Sequence, residues 1–316
     1  MKRIHLSRLA CLTLMLLAGL SAGEARAQLN ANIFKGTKAE AAAPEVISSA
    51  TADSLYAAAE KYHYGDGVEA DYGKALALYR KAAEGGHAEA MNSLGIMYLK
   101  GHGVPQDKAE AVAWFTKAAE AGSKWGQANL AWYYSEGVVV EQDYAEALRW
   151  YRRAAEQGHA NAATQVGFFY EQGMGVPQDY TEAARWYRRA AEWGDMYGQH
   201  NLAWCYYYGK GVEMNAYEAL RWFVKSAEQG HSGAMNYAGI LYENGEGVAQ
   251  DAAAAAHWYQ QGADAGNVYA QYNLARCFES GFGVAEDVAQ AIAWYRKAAG
   301  QGHEMSRQRL GELGVS

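Results

Sequence analysis

Four histidines, His87, His159, His231 and His303, stand 72 residues apart, and imidazoles at a regular interval are one way for a chain to assemble a metal site. Cys205 and Cys277 share that interval and would suit a disulfide if their Cα atoms came within about 7 Å. Acidic side chains recur twice as often. Asp71, Asp107, Asp143, Asp179, Asp251 and Asp287 form one column, with Asn215 in the same series, and Glu110, Glu146, Glu182 and Glu218 each follow three residues later. Paired carboxylates are the groups of general acid–base work. Two basic clusters, Arg149, Arg152, Arg153 and Arg185, Arg188, Arg189, carry the charge and geometry to hold a phosphate. Yet the chain has no P-loop, no His-Glu-x-x-His, no Gly-x-Ser-x-Gly elbow and no Ser-x-x-Lys, so no nucleophile, base and orienter come together as a recognisable set.

The intervals belong to a repeat. Trp114, Trp150, Trp186, Trp222, Trp258 and Trp294 are spaced by 36 residues, and Leu78 continues the series toward the N-terminus. A glycine column from Gly65 to Gly281, a valine column from Val68 to Val284 and an alanine column from Ala75 to Ala291 keep the same period. Seven units follow: 53–86, 87–122, 123–158, 159–194, 195–230, 231–266 and 267–302. Within the second, Ala90, Met91, Leu94, Met97 and Tyr98 have helical spacing, and so do Ala111, Trp114, Phe115, Ala118 and Ala119. Each unit is therefore predicted to be a pair of helices, unable to bury its apolar stripes alone and stable when stacked.

The chemistry-bearing columns now acquire structural duties. The recurrent Asp or Asn caps the second helix, and the Glu three residues on is expected to return a bond to the cap residue's own amide. These carboxylates are read as caps and not as catalysts. Gly86, Gly122, Gly158, Gly194, Gly230, Gly266 and Gly302 end the second helix in the left-handed region, while Gly-His-Gly-Val at 101–104 and its copies turn the chain between helices. Val139 stands where the other units carry the second turn glycine, so that turn is expected to differ in shape. Packed helices lie about 8–10 Å apart, which puts equivalent positions two units apart at about 20 Å. That disperses the histidines beyond one ion's reach and leaves Cys205 and Cys277 unpaired and buried. No metal and no cofactor are expected. The arginine clusters sit near helix C-termini, where cations suit the dipole and can pair with Glu156 and Glu192.

The pattern Ala-x-x-x-Leu-Gly-x-x-Tyr, Gly-x-Gly-Val, Asp and Ala-x-x-Trp-Phe-x-x-Ala-Ala at 90–119 resembles the Sel1-like repeat, a relative of the tetratricopeptide repeat. The resemblance covers about four fifths of the chain. It implies an all-α fold, a right-handed α-solenoid superhelix of paired antiparallel helices, with the first helices lining the concave surface. Members of the family are mostly adaptors for other proteins, many in bacterial envelopes; some resemble regulators of envelope signalling, and others are periplasmic immunity proteins against secreted phospholipase effectors. A cysteine-rich branch is linked to penicillin binding and hydrolysis, but this chain lacks the unit-by-unit cysteine pairs of that branch.

The ends differ from the array. Lys2, Arg3 and Arg8 precede an apolar run from Leu9 to Leu20, and Ala25-Arg26-Ala27 offers a cleavage site, so 1–27 reads as a signal peptide and the expected location is periplasmic or secreted. Residues 28–52 show no period and read as a flexible lead-in, and 303–316 as a capping half-unit in which Leu310 and Gly311 match Leu94 and Gly95. Losing Lys2, Arg3, Arg8, Glu24 and Arg26 leaves 24 basic and 34 acidic residues and takes the net charge from −7 to −10, a balance that disfavours nucleic acid. No apolar run is long enough for a membrane span.

Odd units share features that even units lack: Lys124 to Tyr134 aligns with Met196 to Tyr206 and Val268 to Phe278 at a period of 72. Advancing 100° per residue from Leu94 places the columns of residues 89, 92, 93, 96 and 100 opposite the core side. They hold Trp125, Asn129 and Trp132; Tyr197, His200, Asn201, Trp204 and Tyr208; Tyr269, Tyr272, Asn273 and Arg276; and, from even units, Phe168 and Tyr237. Aromatics supply rigid contact area and amides fix orientation, so this stripe is the expected partner-binding surface. Gln127, Gln199 and Gln271 beside it would need buried partners if it were sealed. The expected function is that of a non-enzymatic adaptor or stoichiometric inhibitor of a protein partner. A glycan-binding module is the alternative, with rings stacking on sugars, and penicillin-related activity a further one.

Overall fold

The computed structural model describes residues 48–315; the expected signal peptide and most of the lead-in lie outside them. The described residues form helices and turns with no strand. The helices are Ser49–Tyr64 (α1), Tyr72–Glu84 (α2), Ala88–Lys100 (α3), Lys108–Glu120 (α4), Lys124–Glu136 (α5), Tyr144–Glu156 (α6), Ala160–Gln172 (α7), Tyr180–Glu192 (α8), Met196–Tyr208 (α9), Ala216–Glu228 (α10), Ser232–Asn244 (α11), Ala252–Asp264 (α12), Val268–Ser280 (α13), Val288–Gly300 (α14) and Glu304–Glu312 (α15). Helix α1 begins at Ser49, capped by Ser48, so the last residues assigned to the lead-in belong to the first unit.

Local chemistry sets these bounds. Asp107 Oδ1 accepts from the amides of Ala109 and Glu110 at 2.9 and 3.1 Å, and the Asp or Asn of every other unit caps its second helix in the same way. The return bond expected from the following Glu is not made. The cap amide donates instead to a carbonyl of the first helix, Asp107 to Tyr98, Asp143 to Tyr134 and Asp179 to Tyr170, each at 2.9 Å. Glu110 and Glu146 are thereby free to accept from Trp114 Nε1 and Trp150 Nε1. His87, His159 and His231 cap first helices, each ring accepting a backbone amide on Nδ1. In the turn inside each unit, Gly101 and Gly103 hold φ of 73° and 71°. Val139 also adopts φ 71°, so its turn keeps the common shape, contrary to the expectation from sequence, and the side chain carries the strain.

Each first helix packs against the second helix of its own unit, and each second helix against the next first helix, which yields an α-solenoid. Ala75, Ala111, Ala147, Ala219, Ala255 and Ala291 are fully buried at these crossings, with Leu94, Leu130, Leu202 and Leu274 beneath them. First helices also approach one another across the stack, α3 with α5, α7 with α9 and α11 with α13, more closely than second helices do. They therefore line the inner curve. The close approaches fall between even units and the odd units that follow, and this alternation is the structural counterpart of the 72-residue period.

Candidate functional site

The two kinds of junction are built from different chemistry. From even to odd unit the first helices are tied by polar bonds: Asn129 Nδ2 to Asn92 Oδ1 at 2.8 Å, Thr164 Oγ1 to Asp195 Oδ1 at 2.7 Å, and Asn273 Nδ2 to Asn236 Oδ1 at 2.9 Å. Gln127, Gln199 and Gln271 belong here as well. They are buried, each donates to a carbonyl of the preceding unit, and each accepts from the glutamine that ends the second helix of its own unit. Their polarity thus serves packing and does not mark an open surface. From odd to even unit the contacts are rings: Tyr56 stacks on His87 at 4.3 Å, His200 on His231 at 4.1 Å, and Tyr272 leans on His303 at 4.7 Å.

The expected stripe divides accordingly. Trp125, Trp132, Phe168, Tyr197, Tyr208, Tyr269 and Arg276 are exposed. His200, Asn201, Trp204, Tyr237 and Tyr272 are half-buried, as are the junction amides Asn129 and Asn273. Trp204 is wedged among neighbours: its Nε1 donates to His200 Nε2 at 2.9 Å, its ring meets Tyr237 edge-on at 4.2 Å, and Tyr208 stacks parallel to it at 5.1 Å. Burial, reinforced by His231, pushes the His200 imidazole down to about 3, so the ring is neutral and serves as an acceptor. Arg276 is bound to Glu243 at 3.0 Å. His200 and Trp204 are therefore part of the interior of the array, whereas Trp125 and Trp132, each about half exposed, stay open, as do Tyr197 and Tyr208 of the fifth unit.

Trp125, Asn129 and Trp132 are brought to one place. With Ala128, Ser135, Glu136, Tyr151, His159, Asn161 and Gln165 they line a cleft of about 540 Å³ between α5 and α7, a size within the range of small-ligand sites. Trp125 meets His159 edge-on at 4.4 Å, and burial holds the His159 imidazole below its ordinary range, so it is uncharged. Glu136 is then the one charged side chain among the lining residues. Sequence reasoning missed Tyr151, His159, Asn161 and Gln165. Asn161 and Gln165 do fall in open-side columns, but their small or flexible side chains carried no aromatic signal. Farther along, Glu171, Asn201, Trp204, Cys205, Tyr208 and Lys210 line a smaller recess of about 160 Å³.

The remaining chemistry-bearing groups stay apart. Cys205 and Cys277 are free and buried, and burial, with nearby Glu171 and Glu243 respectively, pushes both thiols up to about 12. Thiols held protonated are poor nucleophiles. No cluster of three or more His, Cys, Asp or Glu side chains with metal-binding geometry occurs among the described residues. The arginines pair with carboxylates other than those expected: Arg149 with Glu146 and Arg185 with Glu182, one turn before them. Arg153 and Arg189 lie over the rings of Trp150 and Trp186 at 4.8 and 4.6 Å. No helix among the described residues is long and apolar enough to cross a membrane.

The arrangement defines a class, a helical-repeat scaffold whose polar groups are spent on caps and junctions. The Sel1 repeat family model matches residues 52–87, 88–123, 126–159, 160–195, 197–231, 232–267 and 268–303, and the chain belongs to that family. It is similar in structure to a protective antigen of uropathogenic Escherichia coli strains that displays an SLR fold, at 36% identity and a TM-score of 0.77, covering 96% of this chain and 67% of that one. A Sel1 repeat protein from Oxalobacter formigenes is 31% identical with a TM-score of 0.66, covering 80% of this chain and 97% of its own. An immunity protein from Pseudomonas aeruginosa matches at 21% identity and a TM-score of 0.45, over 71% of this chain and 84% of that one. Comparison with curated proteins gave no match.

Proposed function

We propose that the protein is a non-enzymatic scaffold that acts as adaptor or stoichiometric inhibitor, holding a protein partner against the inner curve after export to the periplasm or beyond. The observation that carries this reading is the cleft at Trp125 and Trp132, with two large rings left about half exposed beside amides and one carboxylate. Aromatic anchors in a pocket rimmed by polar groups are the usual core of a protein–protein hot spot. Of the exposed rings off this face, Tyr180 and Tyr217 lie in the first turns of second helices and Trp193 just past the end of α8, and scattered apolar residues of that kind need no partner. An immunity protein blocking an effector and a regulator holding a sensor domain would use the same surface and differ in the partner's identity.

The test is affinity capture from envelope extract with mature wild-type protein and its Trp125→Ala/Trp132→Ala variant as paired baits. A protein retained by the wild type and lost by a variant with unchanged melting temperature supports the reading. Co-sedimentation with insoluble peptidoglycan, in the absence of any captured protein, would favour the glycan-binding module instead. Turnover of nitrocefin by purified protein would overturn the non-enzymatic assignment. Trp204, wedged among His200, Tyr237 and Tyr208, is unsuited to this test because its removal unpacks the array.

A further inference from the structure

At the junction that holds the cleft, between the third and fourth units, one ring of a recurrent set is absent, and Trp125 lies edge-on to His159 at 4.4 Å. At each odd-to-even junction the chain has a slot between a ring of the odd unit's second helix and the histidine that opens the next unit. In the first unit Tyr56 fills it, 5.9 Å from Tyr79 and stacked on His87. In the fifth, His200 fills it, 5.6 Å from Phe223 and stacked on His231. In the seventh, Tyr272 fills it, 5.8 Å from Tyr295 and against His303. The equivalent residue of the third unit is Ala128, and the walls of its slot, Tyr151 and His159, both line the cleft. Position 165 repeats the contrast, since Gln165 stands where the sixth unit places Tyr237, the ring that closes against Trp204.

We infer that this slot receives an aromatic side chain from a partner polypeptide, which completes the junction as Tyr56, His200 and Tyr272 complete theirs. The inference deepens the scaffold reading and rests on it for the partner being a protein. Interior packing leaves aromatic rings in offset or tilted contact with their neighbours, and the filled copies show that walls of tyrosine and histidine, as in the third unit, hold a tyrosine ring, and walls of phenylalanine and histidine a histidine ring. Charge narrows the choice further. With His159 neutral, Glu136 gives the cleft a single negative charge, which favours a partner residue whose sequence neighbour is Lys or Arg. Trp125 and Trp132 would then flank the inserted ring, and Asn161 and Gln165 would meet the partner's backbone amides.

The experiment uses the mature protein and the dipeptide probe acetyl-Arg-Phe-amide, with acetyl-Arg-Leu-amide and acetyl-Glu-Phe-amide as controls, titrated by NMR or by tryptophan fluorescence. Saturable binding of the first probe is expected, weakened at least tenfold by either control. Ala128→His and Ala128→Tyr restore the chain's own ring; both are expected to raise the melting temperature and to reduce probe binding at least tenfold. Unchanged binding by these variants would overturn the assignment of the slot. A fall in melting temperature for both would show that the slot is not a preformed vacancy and would overturn it equally. Tighter binding of a muropeptide than of the Arg-Phe probe, blocked by Ala128→Tyr, would reassign the slot to a sugar. If wild-type protein captures a partner that Ala128→Tyr captures equally well, the scaffold reading stands and this inference falls. Probe binding blocked by Ala128→Tyr, without any partner captured from the envelope, would leave the slot in place and remove the scaffold reading.

Discussion

At Val139 a β-branched residue holds φ 71° in a turn where the other units place glycine. The left-handed region costs an L-residue about 1–2 kcal/mol, and the side chain is exposed, so little burial offsets it. Val139→Gly is therefore expected to stabilise the protein by about 1 kcal/mol after the added chain entropy of glycine, seen as a higher urea midpoint at unchanged slope. The histidines give a second expectation at this scale. Burial lowers the imidazoles of His63, His159, His200, His231 and His303, that of His200 to about 3. Each ring is neutral in both states above its unfolded value of about 6.5. Below that value the unfolded chain binds protons that the native rings refuse, so stability must fall with pH, by about 1.4 kcal/mol per pH unit for each ring fully in this state. The carboxylate of Glu279, held low by Arg309, adds its loss only in more acid solution. The melting temperature is expected to decline from near pH 6.5 downward, less steeply in His200→Gln between pH 6.5 and 5; a flat profile to pH 5 would contradict the burial of these rings. At residue level the second-helix caps and glycine turns were legible because they depend on nearest neighbours. The return bond of the capping Glu and the shape of the Val139 turn were not, since first-helix carbonyls and stacked neighbours decided them.

Helix pairs in this chain join through two alternating seams. Where an odd unit follows an even one, amides and hydroxyls bond across first helices; where an even unit follows an odd one, rings stack on a capping histidine. The 72-residue period was visible in sequence, but its meaning was not, because the bonded partners Asn92 and Asn129 lie 37 residues apart and no pattern within one helix reveals them. Asn92 is buried, so Asn129→Ala leaves its amide without a partner and is expected to cost about 1–3 kcal/mol. Replacing both residues by apolar ones should cost less than the single change, and a double-mutant cycle by chemical denaturation checks this. The aromatic stripe was drawn from the sequence as a set of columns, and its members met different fates. His200, Trp204, Tyr237 and Tyr272 were taken up by ring seams, whereas Trp132 stays open where Gln165 replaces the ring of Tyr237, and Trp125 is exposed like Tyr197 and Tyr269 in its own column.

Across the whole molecule, stability is a sum over neighbours, since each unit touches mainly the units before and after it. The last helix closes that sum: Leu310 is buried, Arg309 pairs with Glu279, and His303 covers Tyr272. Ending the chain at residue 302 exposes the seventh unit's apolar face, so its amides are expected to exchange with solvent far faster, while those of the third to fifth units keep their protection. Equal loss of protection throughout would mean that the array unfolds as a single cooperative body. The amino-acid sequence by itself determined the repeat, the helix pairs, their caps and the buried columns, because helical periodicity and local backbone preference are written within about one turn of each residue. Tertiary structure alone decided which of the outward rings stay outward, for a side chain's exposure depends on what the next unit brings to the same place, and that place is filled or left open by residues more than 30 positions away.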